Sequence, residues 1–135
     1  MSKLSYSIDA QAGIIRLSYR ESPDWPEMQE TLETILRDPL HRPGMGVLAD
    51  RSQLDTPQTV GYIRQIMAWM RRHQAEVGDA RWALVVRGAG PEGMGKLAQV
   101  LGDDIPTMDL EIFGDLASAE AWLRARPGPR HGQER

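Results

Sequence analysis

The segment "RWALVVRG", residues 81–88, decides the fold that this sequence predicts. Its residues 82–86 are apolar without the polar alternation of a half-exposed strand. Such a run is typical of a strand that is buried on both faces, as in the middle of a parallel sheet. Because neighbouring parallel strands need crossover connections, usually helices, we expect strands and helices to alternate on both sides of this segment.

The residues before this strand fit that expectation. Two β-rich runs, "LSYSIDA" (4–10) and "GIIRLSYR" (13–20), are separated by a short loop that ends at Gly13, which predicts a hairpin. A first helix follows, with a capping box of Asp24 and Glu27 and an end at Pro39. "RPGMGVLAD" then predicts a turn and a short apolar strand that runs through about Asp50.

A second helix, predicted over 57–77, has the clearest apolar stripe in the chain. Thr56 is its expected cap, and Pro57 its first-turn residue. After the strand at 81–88 come a glycine-rich loop, a helix centred on "KLAQVL", a strand at 109–113 and a helix capped by Asp115. The order ββαβαβαβα predicts a single α/β domain over 1–126, with a mostly parallel mixed sheet flanked by helices. Residues 127–135, "PGPRHGQER", have no apolar period and are expected to form a disordered tail.

Composition limits the function classes. The chain has 135 residues, a net charge of −3 and no cysteine. This charge gives no general attraction to nucleic acid or anionic lipid, and the missing thiols exclude iron–sulfur and thiolate zinc sites. No metal site or cofactor is expected, since the histidines lie far apart in the sequence. Without a signal peptide or a membrane-spanning apolar run, a cytoplasmic protein is the expectation.

The loop "RGAGPEGMGK", residues 87–96, fits two nucleotide-binding patterns. G-x-G-x-x-G is complete, and G-x-x-x-x-G-K lacks only its final Ser or Thr, which is Leu97 here. The loop lies late in the chain, with a single strand after it, so neither nucleotide-binding fold is completed. We interpret its glycines as a loop with a late helix start, because each costs about 0.5–1 kcal/mol inside a helix. An anion held by the loop amides and Lys96 is left open.

The other candidate residues each have a structural interpretation beside a functional one. Asp50 and Arg51 follow a strand where ligands gather in open α/β sheets, but we favour a local backbone cap for Asp50 and a solvated Arg51. His73 could act as a base or anion contact, although a half-buried structural role is favoured. Trp69 and Met70 are expected in the core, with a dimer interface or the wall of an apolar pocket as alternatives.

Several of these segments resemble the SpoIIAA-like family of small STAS and SEC14-type domains. The resemblance rests on the element order, "GVLADRSQLDTP" before a long helix, "ARWALVV" and "DLEIFGDLASAEAWLRA", and spans roughly residues 4–125. In sporulation anti-sigma-factor antagonists of this family, a serine in an Asp-Ser-Ser-Gly segment at the equivalent helix start is phosphorylated. This chain has "DTPQTVG" there, so the resemblance leaves Thr56 and Thr59 as the only hydroxyls for such a switch.

Three functions follow as expectations. The favoured one is a non-enzymatic regulatory or protein-interaction domain that docks a protein partner or forms a homodimer, as the resemblance implies. The alternative is a carrier of a small apolar or lipid-like ligand, held between the sheet and the helix at 57–77. The third is an enzyme or nucleotide binder that uses the Asp50 region and the glycine loop, although no catalytic constellation stands out in the sequence.

Overall fold

The opening hairpin forms as predicted and becomes one edge of a five-stranded sheet. The computed structural model describes residues 3–125. Strand β1 (Leu4–Asp9) pairs antiparallel with β2 (Ile14–Tyr19). Gly13 closes the turn with a φ of +73°, a backbone conformation that residues with a Cβ rarely adopt.

The remaining elements follow in the predicted order, with one additional short helix. They are α1 (Trp25–Arg37), β3 (Gly46–Asp50), α2 (Val60–Arg72), α3 (Gln74–Val77), β4 (Ala80–Val85), α4 (Ala89–Leu101), β5 (Met108–Phe113) and α5 (Leu116–Arg124). The capping box of Asp24 and Glu27 begins α1, and the Asp115 side chain accepts a hydrogen bond from Ser118 N at the start of α5. Both predicted caps are therefore confirmed.

The strands lie in the sheet in the order of the chain, β1-β2-β3-β4-β5. All neighbouring pairs after the hairpin are parallel, which confirms a mostly parallel mixed sheet. Because every crossover advances by one strand in the same direction, crossovers of one hand bring α1, α2 and α4 to a single face. The larger apolar core lies on that face, and α5 covers a smaller core on the other.

The helix predicted over 57–77 is two helices, and Thr56 is not its cap. α2 begins at Val60, and the Thr59 side chain caps it by accepting a hydrogen bond from Tyr62 N at 3.1 Å. The helical path breaks at His73, where φ is −114° and ψ is 23°, and α3 continues to the turn at Gly78. The prediction chose Thr56 because a proline follows it, but Thr56 is exposed three residues before the cap.

The late helix start predicted in the glycine-rich loop is also wrong. α4 begins at Ala89, directly after Gly88, whose φ of +95° ends the extended segment. Gly95 lies inside α4, where a Cβ would stand 3.2 Å from side-chain atoms of both Leu84 and Ile112. Close helix–sheet packing thus accounts for a glycine that helix propensity disfavours.

The predicted tail, 127–135, and the last residue of the predicted domain lie outside the described residues. Across residues 3–125, no helix has the length and apolar character required to cross a bilayer.

Candidate functional site

The carboxyl ends of the central strands meet at one edge of the sheet, where the chain after β3 turns toward α2. Arg51 N donates a hydrogen bond to Val85 O at 2.9 Å, which ties this turn to the end of β4. Asp50 Oδ1 accepts from Ser52 N at 3.0 Å and from Ser52 Oγ at 2.6 Å. Asp50 therefore caps local backbone, as predicted.

Arg51, which the sequence analysis interpreted as solvated, is buried. It is 4% exposed, and no other charged residue in 3–125 reaches this degree of burial. Its guanidinium carbon lies 4.7 Å from the centroid of the Tyr19 ring, and Nη2 donates to Ser22 Oγ at 3.4 Å. The burial depends on residues of β2 and of the loop after it, which are about thirty positions away in the sequence.

No carboxylate pairs with this guanidinium within the described part of the chain. Arg51 Nη1 is buried without a hydrogen-bond partner. Removing a cation from water costs several kcal/mol. A desolvated cation–π contact offsets about 2 kcal/mol of this cost. The hydrogen bond to Ser22 is long and its acceptor is neutral, so it stabilises the cation less than a short bond would. The contacts present leave part of the desolvation cost of Arg51 uncompensated.

Tyr62, in the first turn of α2, supplies a second unpaired polar atom beside Arg51. Its hydroxyl is buried and has no hydrogen-bond partner among residues 3–125. Burial raises the pKa of Tyr62 above its ordinary value, and the nearby Arg51 guanidinium acts in the opposite direction without cancelling the rise. The hydroxyl therefore stays protonated at neutral pH and keeps a hydrogen to donate. We call Tyr19, Ser22, Arg51 and Tyr62 the Arg51 cluster.

Two of the carboxylates that lie near the Arg51 cluster in the sequence accept hydrogen bonds from other residues. Asp50 is bonded to Ser52, and Asp24 Oδ1 accepts from Glu27 N at 2.9 Å in the capping box of α1. The first turn of α2 carries no acidic side chain. Because the start of a helix is the positive end of its dipole, the cluster combines a buried cation with a further source of positive potential.

A narrow apolar cavity lies between the sheet and α2, beside the Arg51 cluster. Its volume is about 40 Å³, which is room for only a few water molecules. Three methionines line it, Met28, Met67 and Met108, and so does Tyr19, which also carries the Arg51 guanidinium on its ring. The cavity is therefore small, bounded by flexible side chains, and adjacent to the buried cation.

Two of the predicted residues, Trp69 and Met70, lie in the core on α2, and a third, His73, directly follows this helix. Trp69 and Met70 are both fully buried. His73 is half-buried, as predicted, with its ring 4.2 Å from that of Trp69 and its Nδ1 2.6 Å from Glu76 Oε1. Trp69 also lines a second cavity of about 30 Å³ between α1 and the sheet.

Lys96 does not lie beside the amides at the start of α4. It comes seven residues after Ala89, which is about 10 Å along a helix axis. Its side chain is exposed, with Nζ 3.8 Å from Glu92 Oε2 on the preceding turn. The structure therefore gives no support to an anion held jointly by the loop amides and Lys96.

Sequence reasoning singled out Arg51 and missed its three neighbours. Tyr19 and Ser22 belong to the end of β2 and the loop after it, whereas Tyr62 was one member of a helical stripe. The available signal was the strand order, since sequential parallel strands place the ends of β2 and β3 side by side.

Within residues 3–125, no three of the metal-binding side chains His, Asp and Glu come together as a metal site. No family model, curated protein or solved structure gives a significant match to this chain.

Proposed function

We propose that this chain is a non-enzymatic regulatory domain of the SpoIIAA-like type, which acts by docking a partner protein through residues 55–61. This segment joins the carboxyl edge of the sheet to α2, and all its residues except Gln58 are exposed. The observation that carries the proposal is this exposed segment, held firmly at both of its ends.

Buried residues anchor the segment on either side. Leu54 precedes it and Ile63 follows it, and both belong to the larger core. The Thr59 cap and the contact of Pro57 with the start of α4, 3.8 Å from the position of a Cβ on Gly90, restrain it further. A surface that is already ordered loses little conformational entropy when a partner binds, which favours recognition.

An exposed apolar residue lies in this surface. Val60, the first residue of α2, is 42% exposed. Apolar contact surrounded by polar residues is the usual composition of a protein interface. Thr56 lies four residues earlier and is exposed and free of capping, so we propose it as the hydroxyl at which phosphorylation would control docking. A phosphate adds a charge of about −1.5 to −2 there.

A pair of matched substitutions tests the docking surface. Val60 and Leu116 are each the first residue of a helix, and they are 42% and 46% exposed. An aspartate is tolerated at a helix start because it complements the dipole, so V60D and L116D should both fold. We expect affinity capture with the wild-type chain to isolate a protein that L116D also retains and V60D loses.

Solution mass distinguishes the kind of partner. Light scattering of the purified chain should show a monomer that forms a larger species only after the captured protein is added. If the purified chain is instead a dimer, and V60D dissociates it, the partner at this surface is a second copy of the chain. Capture that is equal for V60D and wild type, or absent for both, would exclude this surface.

A carrier of a small apolar ligand is the second candidate, because three methionines line the cavity beneath α2. Methionine side chains are flexible and can rearrange around a ligand. With a volume of about 40 Å³, the cavity must open before it accepts a lipid-sized molecule. Native mass spectrometry should then detect a co-purified ligand, and M67A or M108A should change the amount of ligand bound. A ligand-free mass at every stage of purification would rule this function out.

A further inference from the structure

We propose that the Arg51 cluster is a binding site for an oxyanion, the carboxylate or phosphoryl group of a small molecule. None of its residues belongs to the exposed segment at 55–61, and the site does not depend on the docking proposal. It rests on one buried cation and one buried hydroxyl, neither of which has a full set of partners within residues 3–125.

The polar groups of the cluster can donate hydrogen bonds, and the Arg51 guanidinium gives the cluster a net positive charge. Arg51 Nη1 carries hydrogens that no acceptor takes. The hydrogen of the neutral Tyr62 hydroxyl likewise has no acceptor. Ser22 Oγ, which accepts from Arg51 Nη2, has its own hydrogen to offer. An oxyanion is the chemistry that matches several donors around a guanidinium, because it supplies only acceptors and a negative charge.

The cluster is held in place before any ligand arrives. The Tyr19 ring supports one face of the guanidinium, and the Arg51 backbone is fixed to Val85 of β4. Tyr62 is carried by the first turn of α2, which Thr59 caps. The donors themselves therefore need little rearrangement to bind an anion, although their cover must shift to admit it, since Arg51 Nη1 and the Tyr62 hydroxyl are both buried.

Ser22 marks the side from which a ligand reaches the cluster. It is exposed, and it is the residue that contacts Arg51 Nη2. The opposite side is closed by the core, since Tyr19 is buried and its hydroxyl donates to Met28 Sδ at 3.7 Å. The ligand group therefore approaches between the loop after β2 and the start of α2.

Titration of the ¹⁵N-labelled chain, followed by NMR at pH 7, tests the site. Sodium phosphate and sodium acetate are added separately, with sodium chloride keeping the ionic strength constant. We expect saturable shifts of the amide resonances of Ser22, Arg51 and Tyr62 with at least one of the two anions. Saturation with phosphate alone assigns a phosphoryl group, and saturation with acetate alone assigns a carboxylate.

Three variants identify the groups responsible. R51M should abolish saturation, whereas R64M, which removes an exposed arginine from α2, should leave it unchanged. If R51M does not fold, Y62F removes only the phenol donor and should weaken binding about tenfold, the effect of one hydrogen bond to a charged group. No saturable shift with either anion, or the same saturation in wild type, R51M and Y62F, would overturn the proposal.

Discussion

Arg16 on β2 and Glu120 on α5 form a bidentate ion pair across the covered face of the sheet. Nη1 lies 2.5 Å from Oε1 and Nη2 lies 2.9 Å from Oε2. Arg124 adds a third contact, with Nε 2.7 Å from Oε2. The hydrogen bonds from Arg16, and then those from Arg124, hold the pKa of Glu120 at about 2. This pair fixes α5 on the second strand of the sheet.

Replacing Glu120 by glutamine should lower the free energy of unfolding at pH 7 by about 1 kcal/mol, because both side chains are partly exposed and the ion pair is partly screened. Urea unfolding measures the difference from wild type. E92Q is the matched control, since Glu92 lies 3.8 Å from Lys96 on the surface of α4 and should change stability by less than about 0.5 kcal/mol.

The same ion pair predicts a dependence on pH. The folded pKa of Glu120, about 2, lies below its ordinary value of 4.5. The stabilisation is therefore fully present above pH 4.5 and is lost as the pH falls toward 2. Unfolding curves at several pH values should show the difference between wild type and E120Q shrinking across this window. A difference that stays constant down to pH 2 would contradict the assignment.

Two glycines of α4 should respond in opposite directions to alanine. A Cβ on Gly93 meets nothing within 4 Å, so G93A should stabilise the protein by about 0.5–1 kcal/mol through helix propensity. A Cβ on Gly95 would press on Leu84 and Ile112 at 3.2 Å. Overpacking costs about 1–3 kcal/mol, so G95A should be about 1 kcal/mol less stable than wild type. Thermal unfolding of both variants checks this, and equal stabilisation by both would mean that α4 does not pack closely on β4 and β5.

Thr59 and Thr56 should differ in their effect on stability. T59A removes the cap of α2 and should cost about 1 kcal/mol in the free energy of unfolding. T56A changes an exposed residue outside the helix and should stay within about 0.5 kcal/mol of wild type. Chemical denaturation measures the free energy of unfolding of both variants. A larger decrease for T56A than for T59A would indicate that Thr56 caps the helix, as the sequence pattern predicted.

Much of the fold was predictable because its signals are local. The capping box at Asp24, the cap at Asp115 and the unbroken apolar run of β4 each depend on residues within a few positions of one another. The start of α2 was not predictable in this way, since Thr56 and Thr59 are both plausible caps. The buried anchors around the segment, Leu54 and Ile63, restrain it from both ends, and the structure places the cap at Thr59.

The candidate site was less predictable than the fold. Arg51 was singled out by its position after a strand, but its burial depends on Tyr19 and Tyr62, which belong to other elements. An arginine in a polar loop is solvated in most proteins, so composition favoured the wrong interpretation. Only the arrangement of neighbouring strand ends shows that these side chains meet.

The placement of α5 has a consequence for synthesis of the chain. The apolar residues Ile14, Leu48, Ala83 and Val85 form a strip across β2, β3 and β4 that this helix covers. A ribosome makes all three strands before it reaches residue 116, so the strip stays bare on the nascent chain until the last described helix emerges. A polypeptide that stalls before that point presents an uncovered apolar surface, which is the kind of surface that chaperones bind and that drives aggregation.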